Sequence, residues 1–393
     1  MNKKMHRERV AAVWATVCLF FTALLIKVPR IPIKYMGECL RLCAFGILPT
    51  LFPFLVISEL LIKSGGGEWL GARLTSPTRR IFGLPGECGT VILLGALCGA
   101  PIGATAAVSL YDRGVIDKRD AERLLPLCTY PSAAFTVGSI GGSMFGSTSI
   151  GLFIHISVFT AGAIIGIGAA LRERMISLRS ASSPKVGVFP HSENQDLCND
   201  KKSARQAGGC GMDIIPAAIG SAAESSMRIC AVILFFSCIL GCVDNILSSL
   251  DISPIAAAAV FSFFELTFGA SACTKLCNLH TGAVLTAAAS AWMGLSIHLQ
   301  VSAIVSSSER PRPQLYRYLA AKAIGAPLAT AFMHVLCKIP AVSDSLEASV
   351  AFGTATSYSL TLATYKSPAI GACFTAAVIL IFAARHTVRR GAG

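Results

Sequence analysis

The sequence predicts an all-α polytopic membrane protein, and composition, charge distribution and apolar segments support this prediction. Of its 393 residues, 53% are hydrophobic and only 14% are charged, and the mean hydropathy is +0.64. Soluble domains usually carry about a quarter charged residues. Uncharged segments of about 18 or more residues are typical of membrane-spanning helices. Such apolar segments lie at about 10–26, 124–171, 229–243, 276–308, 323–337 and 367–384.

The net charge of +13 is carried by loops between the apolar segments. Basic residues in such loops set membrane orientation and meet anionic headgroups. The sequence shows no basic patch interleaved with aromatic residues, so we expect a lipid bilayer and not nucleic acid as partner. It also has no P-loop and no H-E-x-x-H motif. We therefore expect no ATP hydrolysis by this chain and no enzyme activity.

Most of the 15 cysteines lie inside apolar segments, where cysteine behaves as a small apolar residue. Three pairs have i,i+4 spacing, and His280 follows the last of them closely. We interpret the pairs as small residues at helix contacts and predict no metal site and no resident cofactor. The three pairs are Cys39/Cys43, Cys238/Cys242 and Cys273/Cys277.

The basic segments also constrain how often the chain crosses the membrane. The N-terminus, the polar segment 172–212 and the C-terminal tail are basic, and the positive-inside rule places all three in the cytoplasm. Each half of the chain then crosses an even number of times. The predicted organisation is an N-terminal membrane helix 1–35, a first repeat 36–171, a cytoplasmic linker 172–212, a second, inverted repeat 213–385 and a basic tail 386–393.

An even count in the first half requires that one of its five apolar segments does not cross. Basic loops lie on both sides of 88–111, which favours a re-entrant helical hairpin there. Its centre is Gly99-Ala100-Pro101-Ile102-Gly103, and glycine and proline break helices. The alternative is that 88–111 spans the membrane and that one basic loop has been assigned to the wrong side. The five segments are about 10–28, 38–62, 88–111, 124–142 and 147–171.

The second half has the same problem, and the count becomes even if 254–275 is a re-entrant hairpin entered from outside. Each half then consists of a span, a re-entrant hairpin, a broken helix and a span, in opposite orientations. Such an inverted-topology repeat is typical of secondary transporters. Because non-helical backbone at membrane depth must be buried in protein or line a cavity, we expect the two hairpin tips to face each other across a central site. The segments are about 227–247, 254–275, 281–304, 319–338 and 367–385.

Polar residues at the predicted hairpin tips and helix breaks are the candidate substrate contacts. Glu265 is the most informative, because an acid midway along an apolar segment is costly and often functional. It would bind substrate, a proton or sodium; the alternative is a packed carboxylate satisfied by a neighbouring hydroxyl. His298 is equally open between a ligand contact and a packed histidine. The predicted substrate-binding residues are Gly99, Pro101, Gly103, Thr129, Ser132, Glu265, Thr267, Gly269, Ser296, His298 and Gln300.

Seven short motifs occur along the chain between about 36 and 385. They are Leu48-Pro49-x-Leu51-Phe52-Pro53-Phe54, Ser58-Glu59-Leu60-Leu61, Gly99-Ala100-Pro101-Ile102-Gly103-Ala104, Leu110-Tyr111, Asp120-Ala121-Glu122-Arg123-Leu124-Leu125, Glu265-Leu266-Thr267-x-Gly269 and Gly294-Leu295-Ser296-Ile297-His298-x-Gln300. The motifs are individually loose, but in this order they resemble the YlbJ (SpoVV) family of sporulation integral membrane proteins, which carries the nucleoside-recognition Gate domain.

The resemblance implies a role in sporulation, in the mother-cell-derived outer forespore membrane, and movement of dipicolinate into the forespore. The Gate domain is shared with concentrative nucleoside transporters, whose two opposed hairpins look like the topology predicted above. The family tends to have an aromatic residue and asparagines where this chain has Ala100 and Thr129-Tyr130. This difference leaves the identity of the substrate open.

We therefore expect a secondary transporter or permease for a small, planar, anionic metabolite, with dipicolinate as the first candidate. A nucleoside-like substrate is the alternative, and a non-transporting scaffold or assembly factor of the sporulation envelope is the rival from another class. The sequence leaves open a coupling proton or sodium ion, a homo-oligomer and other sporulation membrane proteins as partners. With few basic residues expected inside the membrane, hairpin amides and hydroxyls would have to bind the carboxylates.

Overall fold

The computed structural model describes residues 2–27, 30–181, 214–250, 252–276 and 278–340, together with 342 and 344. All regular structure in these ranges is helical. Four helical segments are long and apolar enough to cross a membrane, namely Thr148–Ile176, Ile214–Asp244, Leu279–Ser306 and Leu315–Leu336. The predicted all-α membrane architecture is thereby confirmed. Most of the linker 172–212, the last predicted span 367–385 and the tail 386–393 lie outside the described residues.

The described residues of the first half form eight α-helices and two π-helical segments. The π-helical segments, Cys43–Ile47 and Ala134–Met144, interrupt the predicted spans 38–62 and 124–142. The π-helical geometry of these two segments was not predicted from the sequence. The α-helices are α1 (Asn2–Lys27), α2 (Arg30–Leu42), α3 (Leu48–Lys63), α4 (Gly66–Phe82), α5 (Cys88–Cys98), α6 (Ala100–Asp112), α7 (Lys118–Cys128) and α8 (Thr148–Ala181).

The described part of the second half forms six helices, which follow the predicted order of span, hairpin, broken helix and span. They are α9 (Ile214–Ser249), α10 (Pro254–Phe264), α11 (Leu266–Thr274), α12 (Leu279–Trp292), α13 (Gly294–Ser306) and α14 (Leu315–Leu336).

Helices α5 and α6 form an antiparallel hairpin that turns at Gly99. The turn needs φ = 96°, a backbone conformation that glycine adopts readily and other residues rarely do. The returning arm places Gly103 beside Gly95, and both pack on the main-chain carbonyl of Cys128 at the end of α7. A methyl group on either glycine would overlap that carbonyl oxygen, so this three-helix contact requires glycine.

Helices α10 and α11 form the second hairpin, which turns at Glu265 with an extended backbone (φ −150°, ψ 128°). Its tip packs against the break between α12 and α13, where Met293 and Gly294 have φ values of 75° and 79°. A Cβ atom on Gly294 would lie 3.0 Å from the Cα atom of Glu265. Among the residues that the structure describes, Met293 is the one non-glycine residue with positive φ.

Four basic segments that the charge distribution predicts to be cytoplasmic meet at one end of the helix bundle. They are the end of α4, the loops after α6 and α13, and the end of α8. Both ends of the α5–α6 hairpin therefore lie at this end, as a re-entrant hairpin requires. The contacts that join the segments are Tyr111 with Pro311 (2.8 Å), Ser308 with Asp112 (2.6 Å), Arg119 with Glu173 (3.8 Å) and Arg174 with the Arg80 carbonyl (2.7 Å).

The α10–α11 hairpin opens at the opposite end of the bundle. There the start of α12 meets the end of α14, with the His280 and His334 rings 5.1 Å apart, and Gly282 of α12 packs on Cys273 near the end of α11. The same succession of elements thus occurs twice and runs in opposite directions. This arrangement favours the predicted inverted repeat, while the position of the bilayer around it stays a prediction.

Cysteine accessibility in oriented vesicles tests the predicted sidedness. We expect Val115→Cys and Arg312→Cys to react with a membrane-impermeant maleimide only from the cytoplasmic side, because both exposed loop positions lie at the basic end. Ser149→Cys, exposed at the start of α8, should react only from the other side. The unsubstituted chain measures the background from its exposed Cys18. Labelling of Val115→Cys from outside would show that 88–111 crosses the membrane.

A methyl group tests the packing of the first hairpin on α7. We expect Gly103→Ala to lower the free energy of unfolding of the detergent-solubilised protein by ~3 kcal/mol. This value is at the upper end of overpacking costs, because a backbone carbonyl cannot move aside. Gly220→Ala is the matched control, since a Cβ atom there meets nothing within 4 Å, and it should be neutral or stabilising by up to ~1 kcal/mol. Equal melting temperatures for the two variants would contradict the packing.

Candidate functional site

Glu265 caps the second arm of its own hairpin. Its side chain is 2% exposed. One carboxylate oxygen accepts a hydrogen bond from the Phe268 amide at 2.9 Å, and the other accepts from the Thr267 hydroxyl at 3.0 Å. A carboxylate at a helix N-terminus is stabilised by these amides and by the helix dipole. The structure thus satisfies Glu265 by a neighbouring hydroxyl, as the alternative interpretation proposed, with a main-chain amide in addition.

The predicted residues of the first half shape the contact between the α5–α6 tip and the break after α7. Gly99 lies against Ser132, whose hydroxyl accepts a hydrogen bond from the Phe135 amide at 3.2 Å. The Thr129 hydroxyl donates to the Leu125 carbonyl at 2.7 Å. These hydroxyls therefore complete the ends of interrupted helices. Pro101 and Gly103 are also in the hairpin, where the Pro101 carbonyl accepts from Thr105 at 2.8 Å and Gly103 packs on Cys128.

Three of the predicted residues of the second half, Ser296, His298 and Gln300, lie in α13, and Gly269 lies in α11. Ser296 is buried, and its carbonyl accepts a weak 3.4 Å hydrogen bond from the Gln300 side chain. His298 is 5% exposed, with Nδ1 2.9 Å from the Tyr318 hydroxyl, while its Nε2 atom is buried without a hydrogen-bond partner. Gly269 packs against Ser262 inside the α10–α11 hairpin.

Residues of both hairpins and both broken helices belong to one buried cluster. That the two hairpin tips face each other across a central site stays a prediction. The cluster includes small residues from α5, α11 and α12 beside the Tyr130 ring, which lies in the break after α7. Small residues let helix backbones approach closely inside a membrane protein. The residues that mark this meeting point are Ala96, Tyr130, Ala270, Ala287 and Ala291.

Lys322 on α14 inserts into the break of α7, and the sequence analysis missed it. Its side chain is 5% exposed. Its ammonium donates to the Pro126 carbonyl at 3.3 Å and to the Thr129 carbonyl, because the last carbonyls of a helix have no partner within it. The centroids of Tyr130 and Tyr318 lie 4.8 and 5.8 Å from Nζ. The available signal was a lysine three residues inside the predicted apolar segment 319–338.

A cavity of about 490 Å³ lies between α7, α8 and α14, with Lys322 and Tyr130 in its wall. Its volume is in the range of small-molecule sites. None of the eleven predicted substrate-binding residues lines it. Its charged lining residues, mostly at the basic end of the bundle, are Glu122, Arg123, Arg172, Glu173, Arg317 and Lys322.

Comparison with known proteins gives one line of evidence. The chain is 23% identical over 315 residues to the sporulation integral membrane protein YlbJ of Bacillus subtilis (strain 168), covering 75% of this chain and 76% of the relative. No family model and no solved structure matches the chain. The similarity supports the sporulation membrane protein resemblance of the sequence motifs. The Gate domain assignment stays a prediction.

Removal of the Glu265 carboxylate tests its capping role. We expect Glu265→Ala to lower stability by ~2 kcal/mol, because the variant loses an N-cap and leaves buried donors without acceptors. Glu224→Ala is the matched control, since Glu224 pairs with Arg228 at the exposed surface at 2.8 Å, and such pairs contribute ~0–1 kcal/mol. Thermal melts in detergent measure both. A Glu265→Ala protein as stable as Glu224→Ala would exclude the cap.

Proposed function

We propose that this chain is a secondary transporter of a sporulation membrane that moves a small, planar, anionic metabolite, with dipicolinate as the first candidate. The proposed location is the mother-cell-derived outer forespore membrane, with both termini in the cytoplasm. The chain carries out no chemical conversion of its substrate in this proposal.

The observation that carries the proposal is the paired arrangement of hairpins and broken helices. The tip at Gly99 packs on the break after α7, and the tip at Glu265 packs on the break at Met293 and Gly294. Broken helices at membrane depth need internal partners for their backbone groups and are typical of transporter binding sites. A scaffold could cross the membrane with continuous helices and would need neither break.

The name of the related protein supports the proposed role in a sporulation membrane. The Bacillus subtilis protein is named a sporulation integral membrane protein, and it aligns with 75% of this chain. Dipicolinate follows from the family resemblance of the sequence motifs. A nucleoside-like substrate is the alternative within the same class of carrier.

One observation favours the scaffold as a second candidate function. The carboxylate of Glu265 and the hydroxyls of Thr267 and Thr129 all form hydrogen bonds within their own helices. If these groups only complete helix ends, the tips could serve a purely structural purpose. Transport measurements separate the two candidates.

Uptake of radiolabelled dipicolinate into proteoliposomes tests the carrier. We expect saturable uptake by the wild-type protein and at least a tenfold loss in Glu265→Gln. A glutamine oxygen can still accept the Phe268 amide, so this variant should fold while losing the ionisable carboxylate. Glu224→Gln on the exposed face of α9 is the matched control and should transport normally.

An absence of uptake by the wild-type protein supports a scaffold. If wild-type protein inserts correctly but takes up neither dipicolinate nor nucleosides, the carrier proposal fails. Wild-type uptake with unchanged uptake by Glu265→Gln would retain the carrier and assign Glu265 to helix capping alone.

A further inference from the structure

Lys322 is a buried cation. Within the described ranges, none of the ion pairs includes Lys322. Glu122, the buried acid of the same cavity, instead pairs with Arg317 at 3.1 Å and accepts the Gln314 amide at 3.0 Å. A buried charge without a counter-charge is strongly destabilising. Main-chain carbonyls and tyrosine rings offset only part of this cost, since they carry no net charge.

The ammonium of Lys322 also retains a hydrogen-bond donor. A lysine ammonium has three N–H groups, and two acceptors contact this one, the carbonyls of Pro126 and Thr129. The third N–H has no acceptor among the residues described by the structure. Since Lys322 lines the 490 Å³ cavity, an acceptor from a ligand could reach it there.

Two arginines of the same cavity have donors that their surroundings do not use. Arg123 has a buried Nε atom without a hydrogen-bond partner, although its terminal nitrogens donate to the Gly83 and Phe82 carbonyls and to Asp120. Arg172 at the end of α8 is exposed and forms no ion pair with any described residue. Four basic and two acidic side chains line the cavity, so its formal charge is +4 − 2 = +2.

We propose that this cavity binds a small dianion, with Lys322 holding one carboxylate at the inner wall and Arg172 or Arg123 holding the other nearer the basic end. The inference rests on the proposed function, because it assigns a site to the substrate of that carrier. A carboxylate supplies the acceptor and the counter-charge that Lys322 lacks. Arginine forks bind carboxylates well, and Tyr130 and Tyr316 in the lining add aromatic surface for a planar ring.

The cavity lies at the basic end of the bundle, which the charge distribution places in the cytoplasm. Anions are therefore expected to enter it from the cytoplasm, and Lys322 would be the deepest charged contact. The headgroup of an anionic lipid carries similar chemistry, and basic pockets between membrane helices can bind such headgroups. The experiment must therefore also test whether an anionic lipid occupies the cavity.

Calorimetric titration of the protein in nanodiscs of zwitterionic lipid tests the site. The probe is dipicolinate, and pyridine-2,6-dicarboxamide is its uncharged analogue. We expect dipicolinate to bind the wild type and the diamide not to bind. Lys322→Gln should weaken dipicolinate binding at least tenfold. Lys338→Gln, an exposed lysine just beyond the end of the same helix, is the matched control and should bind normally.

Ala321→Phe is a second variant that leaves every polar contact of Lys322 in place. Ala321 lines the cavity, so a phenyl ring there should fill the space and abolish binding even if Lys322→Gln folds poorly. If Lys322→Gln and Ala321→Phe both bind dipicolinate like the wild type, Lys322 serves only to cap α7 and the proposal is overturned.

Analysis of co-purified anionic lipid and transport measurements distinguish the remaining outcomes. Phosphatidylglycerol that co-purifies with the wild type, blocks dipicolinate binding and is lost in Lys322→Gln would assign the cavity to a lipid headgroup and overturn the proposal. Uptake that is unaffected by both variants would retain the carrier and reject this site. Binding lost in both variants without any wild-type uptake would support the site and reject the carrier.

Discussion

The structure depends on one constraint, which is that backbone groups freed by a broken helix at membrane depth must find partners inside the protein. The chain interrupts its helices at Gly99, after Cys128, at Glu265 and at Met293. At each of these interruptions another element packs against the break. The tip at Gly99 lies against Ser132 after α7, and the tip at Glu265 lies against Gly294. The hairpin tips approach the breaks so closely that Gly103 and Gly294 leave little or no room for a side chain, and the bundle is assembled around these contacts.

Glu265 and Lys322 provide partners for freed backbone groups at two helix ends. The acid lies at a helix N-terminus and the lysine at a helix C-terminus. Glu265 accepts from an amide at the start of α11, where the helix dipole favours a negative charge, and Lys322 donates to carbonyls at the end of α7, where it favours a positive one. Each charge is thus stabilised by a helix end, and neither needs the other as a partner. The breaks themselves therefore offset part of the cost of each buried charge.

The sequence predicted the succession of elements better than the contacts that complete it. Charge parity pointed to both hairpins, and two local signals, the Gly99–Gly103 run and Glu265, marked their centres. The π-helical segment Ala134–Met144 has no such signal. The contact between Lys322 and Thr129 joins residues 193 positions apart, so no local pattern in the sequence relates them. The cavity could not be predicted without that contact.

The two buried charges differ in what they leave for a ligand. Both oxygens of Glu265 already accept hydrogen bonds from its own hairpin, so a new partner would have to displace one of them. Lys322 has a donor to spare and faces a cavity whose lining is formally positive. Few basic groups had been expected inside the membrane, and anion binding therefore seemed to require amides and hydroxyls. The break of α7, and not the tip of the second hairpin, is where this chain offers an anion both charge and space.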